Sequence, residues 1–304
     1  MHWRTLYVKA TRRVSGRIRQ MLDSGAIELF TLSERWKLRR AIGSGPPYRP
    51  SHNSIIIDIT TLCNRNCIDC NRSVGQDQAM SKEHMSLAQI NRFVEQSVAG
   101  SRHWERIDIE GGEPTLHPDF FAILARLLEY RREHSPGTNI RVLTNGYGDK
   151  VNKVIEQLSG LGVDVYNSRK TSAVQEGHCA FNKAPCDLEQ FAHEDFSQGC
   201  HLPAAYGLGL TRGGYYPHPV CGGIDRVFGF DIGRKELPDI SDPMTEHFER
   251  LCRYCGFYLF SRQIRSSQEQ LSMSETERGQ KTESWYEAYR EYWKNRQEVV
   301  RGNE

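Results

Sequence analysis

Three cysteines, Cys63, Cys67 and Cys70, occur in the spacing C-x3-C-x2-C and limit what this chain can fold into. They directly follow the apolar run 54–59, whose length and composition predict a buried strand that ends in a loop. Thiolates this close can converge on one metal centre, and three of them leave a four-iron cluster with one iron free of protein ligands. An open iron is a place where a small molecule can bind and react.

A zinc site is the main alternative for these cysteines. Zinc usually takes four tetrahedral ligands from paired motifs, such as two C-x2-C pairs or one such pair and two histidines. Here the motif is a triplet, and the spacing therefore favours an iron–sulfur cluster over zinc.

The cysteine loop and two later motifs together resemble a known enzyme family. Residues 63–70 resemble the cluster loop of the radical S-adenosylmethionine (SAM) enzymes, although Asp69 stands where that family often has an aromatic residue. Residues 107–114, a predicted strand followed by Gly-Gly-Glu-Pro, are similar to the SAM-binding motif of the same family. Residues 142–146, Val-Leu-Thr-Asn-Gly, end the next apolar run. The three motifs occur in the family's order.

The resemblance implies two cofactors and a reaction class. A four-iron cluster at the three cysteines would bind SAM, and reductive cleavage would release a 5′-deoxyadenosyl radical that abstracts a hydrogen atom from the substrate. The electron would come from a reducing partner such as flavodoxin or ferredoxin. The resemblance also implies that SAM is contacted by residues that follow three of the predicted strands: Gly111, Gly112, Glu113, Pro114, Asn145 and Ser168. The glycines would admit the methionine end of SAM closely, and Glu113 would accept a hydrogen bond from its ammonium group.

Composition excludes several classes of protein. The chain has 304 residues and a net charge of +2, so nucleic acid is not expected as a partner. No apolar run is long enough to span a membrane and no export signal is present, which predicts a cytoplasmic protein without a transmembrane segment. Nine cysteines without an export signal favour metal ligation over disulfides. Residues 1–50 carry 11 Lys and Arg against 3 Asp and Glu, and are predicted to form a basic helical extension.

Predicted strands near 54–59, 104–110, 139–144 and 163–166 alternate with helical stretches, as is typical of a parallel α/β sheet. In such sheets the functional residues collect at the carboxyl ends of the strands. The resemblance implies closure into a partial (β/α)6 TIM-like barrel over 51–195. A small hairpin-and-helix domain over 196–260 and a polar linker with a C-terminal helix over 261–304 would follow.

The second domain is predicted from four more cysteines. Cys200 and Cys221 flank a hairpin signal at 206–216, and Cys252 and Cys255 form a C-x2-C pair. This arrangement resembles the twitch or SPASM-type extension of radical SAM enzymes, which implies an auxiliary four-iron cluster; a zinc ribbon is the alternative. Cys179 and Cys186 remain unassigned and could be inert, replace a ligand or donate a hydrogen atom to a substrate radical.

The C-terminal segment is predicted to form a helix. Ser284–Glu287 reads as a capping box, and Trp285, Tyr289 and Trp293 recur four residues apart, which predicts an aromatic face docked on the core.

Four functional hypotheses fit this pattern. The first is a radical SAM oxidoreductase that dehydrogenates a small polar or carbohydrate-like substrate, with Arg169, Lys170 or Arg226 as proton acceptor. The second is an epimerase that uses Cys179 or Cys186 as hydrogen donor. The third is modification of a ribosomal peptide, and the fourth is a zinc-bound scaffold without enzymatic activity.

Overall fold

The computed structural model describes residues 49–67, 69–74, 83–169, 181–258 and 281–302. The predictions for the basic segment 1–48, for Lys170 and Cys179, and for the linker over 261–280 lie outside these residues. Within the described ranges, no helix is both long enough and apolar enough to cross a membrane.

The described segments alternate between strands and helices. The strands are β1 (Ser54–Thr60), β2 (Arg106–Gly111), β3 (Asn139–Thr144), β4 (Asp164–Asn167), β5 (Leu208–Thr211) and β6 (Gly214–Tyr216). The α-helices are α1 (Leu87–Ala99), α2 (Phe120–His134), α3 (Asp149–Gln157), α4 (His201–Tyr206), α5 (Pro219–Phe228), α6 (Thr245–Cys252) and α7 (Glu283–Gly302). The four strands predicted for the first half are therefore confirmed within two residues of their predicted positions.

The strands form one open sheet in the order β4-β3-β2-β1-β5-β6. Neighbouring strands from β4 to β5 are parallel, and only the β5–β6 pair within this sheet is antiparallel. The predicted α/β class with a mostly parallel sheet is confirmed, and the sheet is open. The predicted hairpin forms, but β5 pairs with β1 and so continues the main sheet instead of standing apart from it. Gly207 permits this pairing, because a Cβ atom there would lie 2.0 Å from the carbonyl oxygen of Ser54.

Two hydrophobic cores lie on different parts of this sheet. The first packs one face of β1, through Ile55, Ile57 and Ile59, against α1 and α2. Helix α1 begins with a capping box, in which the Ser86 side chain accepts from the Gln89 amide and the Gln89 side chain accepts from the Ser86 amide. Alternate residues of a strand point to opposite faces, so Asp58 and its neighbours on β2 face the other side of the sheet.

The second core collects the aromatic face of α7 and the later cysteines. Trp285, Tyr289 and Tyr292 are buried in it, so the docking predicted for the C-terminal helix is confirmed. The predicted capping box at Ser284 is wrong, because α7 already begins at Glu283. The Ser284 amide donates to Oδ2 of Asp187 at 3.0 Å and its hydroxyl donates to Oδ1, so a residue from a distant segment caps this helix.

Candidate functional site

The loop that contains Cys63, Cys67 and Cys70, the cysteine loop, follows the carboxyl end of β1. Backbone hydrogen bonds from the end of β2 hold the residues that lead into this loop. The Gly112 amide donates to the Thr60 carbonyl and the Glu113 amide donates to the Leu62 carbonyl, both at 2.8 Å. A Cβ atom on Gly111 would lie 2.4 Å from the Thr60 oxygen, and one on Gly112 would lie 2.4 Å from the Leu62 oxygen. The two glycines thus let the second motif approach the backbone that leads into the cysteine loop.

Replacing Gly112 by alanine is expected to destabilise the protein by about 1–3 kcal/mol, because the new methyl group overlaps a backbone oxygen that cannot move without the cysteine loop. Chemical denaturation measures the change. Gly137→Ala is the matched control, since a Cβ atom there meets nothing within 4 Å. Equal stabilities for the two variants would contradict the role assigned to the close approach.

Glu113 joins the second motif to the third. Its side chain is fully buried and its Oε1 accepts from the hydroxyl groups of Thr115 at 2.7 Å and Thr144 at 2.8 Å. Its Oε2 accepts from the Asn145 amide at 2.8 Å. Pro114, also buried, opens a short 3-10 turn that follows directly. The carboxylate therefore ties the ends of β2 and β3 together, a role that the sequence did not indicate. Its contact with the SAM ammonium group stays a prediction.

Asn145 places the third motif against the cysteine loop. Its Nδ2 donates to Oδ1 of Asn64 at 2.9 Å and lies 3.8 Å from the Cys63 sulfur. Ser168 follows β4, and its amide and hydroxyl donate to the Thr144 carbonyl at 2.9 and 3.1 Å. The residues predicted to contact SAM thus come together at one edge of the sheet, where β1 to β4 end.

The first three thiols lie close enough to affect one another. The pKa of Cys63 is raised to about 11, chiefly by burial; the neighbouring Cys70, Glu113 and Cys67 contribute to the rise, and a hydrogen bond from the Arg65 amide opposes it. Among the described residues, no three His, Cys, Asp or Glu side chains are arranged to hold a metal ion as they stand. The donor set nevertheless fits a cluster, because crowded thiolates need a cationic partner and three of them suit a four-iron centre.

The second set of thiols comes from three separate places in the fold. Cys200 precedes α4, Cys221 lies in the first turn of α5, Cys252 ends α6, and Cys255 follows three residues later. All four are buried in the second core. Burial raises the pKa of Cys221 well above its ordinary value, and the nearby Cys255 and Cys200 add to the effect. Four buried thiols are a chemically suitable donor set for an auxiliary cluster or for zinc.

A charged group that the sequence analysis did not identify lies on the other face of the sheet. Nε of Arg72 donates to Asp58 at 3.2 Å and its Nη2 donates to Glu110, the residue opposite Asp58 in the β1–β2 register. Burial raises the pKa of both carboxyl groups, and Arg72 opposes that rise. For Asp58 the signal was present in the sequence, since this residue interrupts the apolar run of β1; on β2, charged residues alternate with isoleucines.

The same face carries a second ion cluster on β2 and β3. Arg141 donates to both oxygens of Asp108 at 2.6 Å, and Arg106 donates to Oδ2 at 3.0 Å. A bidentate pair of this kind fixes the orientation of both side chains. The face of the sheet opposite the first core therefore carries paired charged side chains on β1, β2 and β3.

A cavity of about 590 Å³ opens at the carboxyl end of β1. Its walls come from the sheet, from the segment after Cys70, from the β5–β6 turn and from α5, and they include Asp58, Thr60, Arg72, Gly111, Arg212 and Gly222. Because these walls carry both carboxylates and guanidinium groups, the cavity suits a polar small molecule.

Of the proton acceptors and hydrogen donors suggested from the sequence, the structure describes Arg226, Arg169 and Cys186, and Arg226 lines the cavity. Arg226 donates from Nη2 to the carbonyl oxygens of Arg72 at 2.8 Å and Ser73 at 2.9 Å, and an arginine cannot readily lose a proton in any case. Arg169 is exposed on a turn after β4. Cys186 is exposed, with its sulfur beside Asp187 and its amide on the Arg253 carbonyl, at the margin of the second core. A role for Cys186 as hydrogen donor stays a prediction.

Comparison with known proteins places the three motifs in a known family. Residues 57–172 match the Radical SAM superfamily. A GTP 3′,8-cyclase of Mannheimia succiniciproducens is 31% identical over 113 residues, which are 36% of this chain and 31% of that protein. A probable GTP 3′,8-cyclase of Thermococcus kodakarensis is 29% identical over 119 residues, 39% of this chain and 34% of that protein. The chain spans about a third of the length of these curated relatives.

Two solved structures are also similar. BtrN in complex with AdoMet and 2-DOIA has a TM-score of 0.41 at 15% identity and covers 74% of this chain and 92% of its own. Streptococcus suis SuiB bound to S-adenosylmethionine has a TM-score of 0.26 at 14% identity and covers 49% of this chain and 31% of its own. The family match includes Cys63, Glu113, Asn145 and Ser168, and it implies a four-iron cluster and SAM as cofactors of this segment.

Proposed function

We propose, from the radical SAM domain that residues 57–172 form, that this protein is a radical SAM oxidoreductase that dehydrogenates a small polar or carbohydrate-like substrate. Cys63, Cys67 and Cys70 would hold the SAM-binding cluster. An auxiliary cluster would be held by Cys200, Cys221, Cys252 and Cys255. A reducing partner such as flavodoxin or ferredoxin would supply the electron that starts the reaction.

One observation supports the proposal: the cavity is lined by residues that are near in sequence to a cysteine of each set. Arg72, two residues after Cys70, and Gly222, the neighbour of Cys221, both line it. A substrate bound in this cavity would contact the segment after Cys70 and helix α5, which carries Cys221. Oxidation needs such a position, because the substrate must lose a hydrogen atom on one side and an electron on the other.

Cys63, Cys67 and Cys70 would hold the group that, with SAM, supplies hydrogen-atom abstraction, and Cys200, Cys221, Cys252 and Cys255 would hold a group able to accept the remaining electron. The protein must accept the proton that leaves with this electron. Asp58 lines the cavity, and burial raises the pKa of its carboxyl group, which favours proton uptake. Arg72 orients that carboxylate through its Nε. Asp58 therefore replaces the three basic side chains as the proposed proton acceptor.

The substrate class follows from the walls of the cavity. Paired charges and backbone groups can hydrogen-bond hydroxyl or amino groups, whereas an extended apolar ligand would leave them unpaired. The curated relatives match this chain only over the radical SAM segment, so their action on GTP gives no reason to assign a nucleotide substrate here.

The test is anaerobic reconstitution with iron and sulfide, followed by reaction with SAM and a panel of polyols and aminosugars. We expect about eight iron atoms per chain, release of 5′-deoxyadenosine, and a product two hydrogen atoms lighter than its substrate with one SAM consumed per turnover. Product mass is read by mass spectrometry.

Other outcomes would support the alternatives. A product of unchanged mass that carries solvent deuterium at one carbon indicates an epimerase, and loss of that product in Cys179→Ala or Cys186→Ala identifies the donor. Reaction with a peptide alone indicates peptide modification. A colourless protein that contains about two zinc ions indicates a scaffold.

A further inference from the structure

Helix α5 carries one cysteine of the second set and contacts the segment that follows the first set. Its first turn contains Cys221. Two residues further on, Gly223 faces the segment that follows Cys70, and a Cβ atom there would lie 3.0 Å from the Arg72 carbonyl oxygen. Only a glycine allows the helix backbone to approach this segment so closely without moving one of the two.

Arg226 fastens the same segment to the same helix. It lies three residues after Gly223, on the same face of α5, and its Nη2 donates to the carbonyl oxygens of Arg72 and Ser73. The Ser73 amide in turn donates to the Cys70 carbonyl at 2.9 Å. Hydrogen bonds from a guanidinium group are stronger than those between neutral groups, so Arg226 holds the exit of the cysteine loop in one position.

The helix itself is firmly seated on the second core. Val220, Ile224 and Val227 are buried there together with Cys221. Asp225 accepts from the Tyr216 hydroxyl and from the Ile232 amide at 3.2 Å, which fixes the end of the helix near Arg226. A displacement at Cys221 would therefore be passed along α5 as a rigid body rather than absorbed within it.

We infer that α5 couples the two cysteine sites, with Arg226 and Gly223 as positioning residues that make the geometry of the first cysteine loop depend on what is bound at the second site. The inference rests on the proposed binding of one cluster at each site. Occupation of the second site fixes Cys221, and hence α5, in the position from which Arg226 holds the segment after Cys70. Loss of the second cluster releases that restraint and weakens SAM binding at the first.

A double-mutant cycle tests the coupling in the anaerobically reconstituted full chain. SAM is titrated into dithionite-reduced protein, and its dissociation constant is read from the change in the electron paramagnetic resonance spectrum. We expect Cys221→Ala and Arg226→Met each to weaken SAM binding about tenfold, within the range typical of coupled sites. The double variant should be no weaker than either single one, because both remove the same restraint.

Two controls separate this effect from general damage. Arg250→Met removes another arginine of the same region, one that is exposed and stacks on Phe230 at 4.8 Å, and should leave SAM affinity unchanged. Arg226→Lys keeps the positive charge and should recover part of the affinity. In the reconstituted protein, Arg226→Met should raise hydrogen–deuterium exchange in peptides that cover 70–74, and Arg250→Met should not.

Additive losses in the double variant, or unchanged affinity in Arg226→Met, would overturn the coupling while leaving the proposed function intact. Unmutated protein that loads only about four iron atoms, all of them lost in Cys63→Ala, would instead refute the second cluster and the coupling together.

Discussion

Replacing Arg72 by methionine is expected to destabilise the fold by about 3–5 kcal/mol, the cost of removing one partner from a buried ion pair. The side chain of Arg72 is only 6% exposed, and those of Asp58 and Glu110 are 12% and 21% exposed. Methionine keeps most of the volume but leaves two facing carboxylates without their shared cation. Their mutual repulsion and their burial are then opposed only by the more distant Arg226, which acts on Asp58.

The dependence of this loss on pH distinguishes it from a packing defect. Without Arg72 the pKa values of Asp58 and Glu110 in the folded state rise further, so the folded protein binds protons more tightly than the unfolded chain. Unfolded carboxyl groups titrate near pH 4, and the deficit should therefore shrink as the pH is lowered through the raised values. Urea denaturation across the range from neutral to acidic pH measures this trend.

Arg132→Met is the matched control. Arg132 pairs with Glu133 at 2.9 Å on the surface, with side-chain exposures of 70% and 46%. Exposed pairs of this kind contribute little, so the variant should keep nearly full stability at every pH. A deficit for Arg72→Met that stays constant with pH would show that lost packing, not charge, is responsible.

Much of the fold could be predicted because its signals are local. The cap at Ser86 and the apolar runs that became β1, β2 and β3 each depend on residues close together in sequence. The pairing of β5 with β1 could not be predicted in this way, since it joins residues about 150 positions apart and depends on the close approach at Gly207. The predicted start of α7 was wrong for the same reason, because the side chain that caps this helix belongs to the distant Asp187.

The site shows the same division. Residue types and spacing identify Cys63 and Glu113, and the ends of neighbouring parallel strands bring their loops together. The sequence does not reveal that Glu113 accepts hydrogen bonds from Thr144 and Asn145 at the end of β3, or that Arg226 holds a backbone segment instead of accepting a proton. Those roles depend on which atoms the fold brings within hydrogen-bond distance. Asp58 was detectable as a charge in an apolar strand, but its partner Arg72 was not.

Cys63→Ala and Cys221→Ala are expected to separate the two halves of the proposed reaction. Cys63 lies within reach of Asn145 at the strand ends, whereas Cys221 is buried in the second core. Loss of Cys63 should abolish 5′-deoxyadenosine release, because a four-iron centre with two remaining protein ligands cannot present SAM to the cavity. Loss of Cys221 should preserve that release at saturating SAM and abolish substrate oxidation.

Iron content and product analysis together test this separation. Cys63→Ala should keep about half of the iron of the unmutated protein, since two remaining thiols hold a four-iron centre too weakly and the second set still holds about four atoms. Cys221→Ala leaves three thiols, the number that suffices at the first site, so its iron content should lie between half and all of the unmutated value. Cys186→Ala is the control for removing a thiol: Cys186 is exposed and contacts Asp187 at the margin of the second core, so both iron content and oxidation should be retained. If Cys221→Ala loses iron but still forms the oxidised product, the second site does not accept the substrate electron. The four buried thiols would then hold the second core together through their metal rather than take part in the reaction.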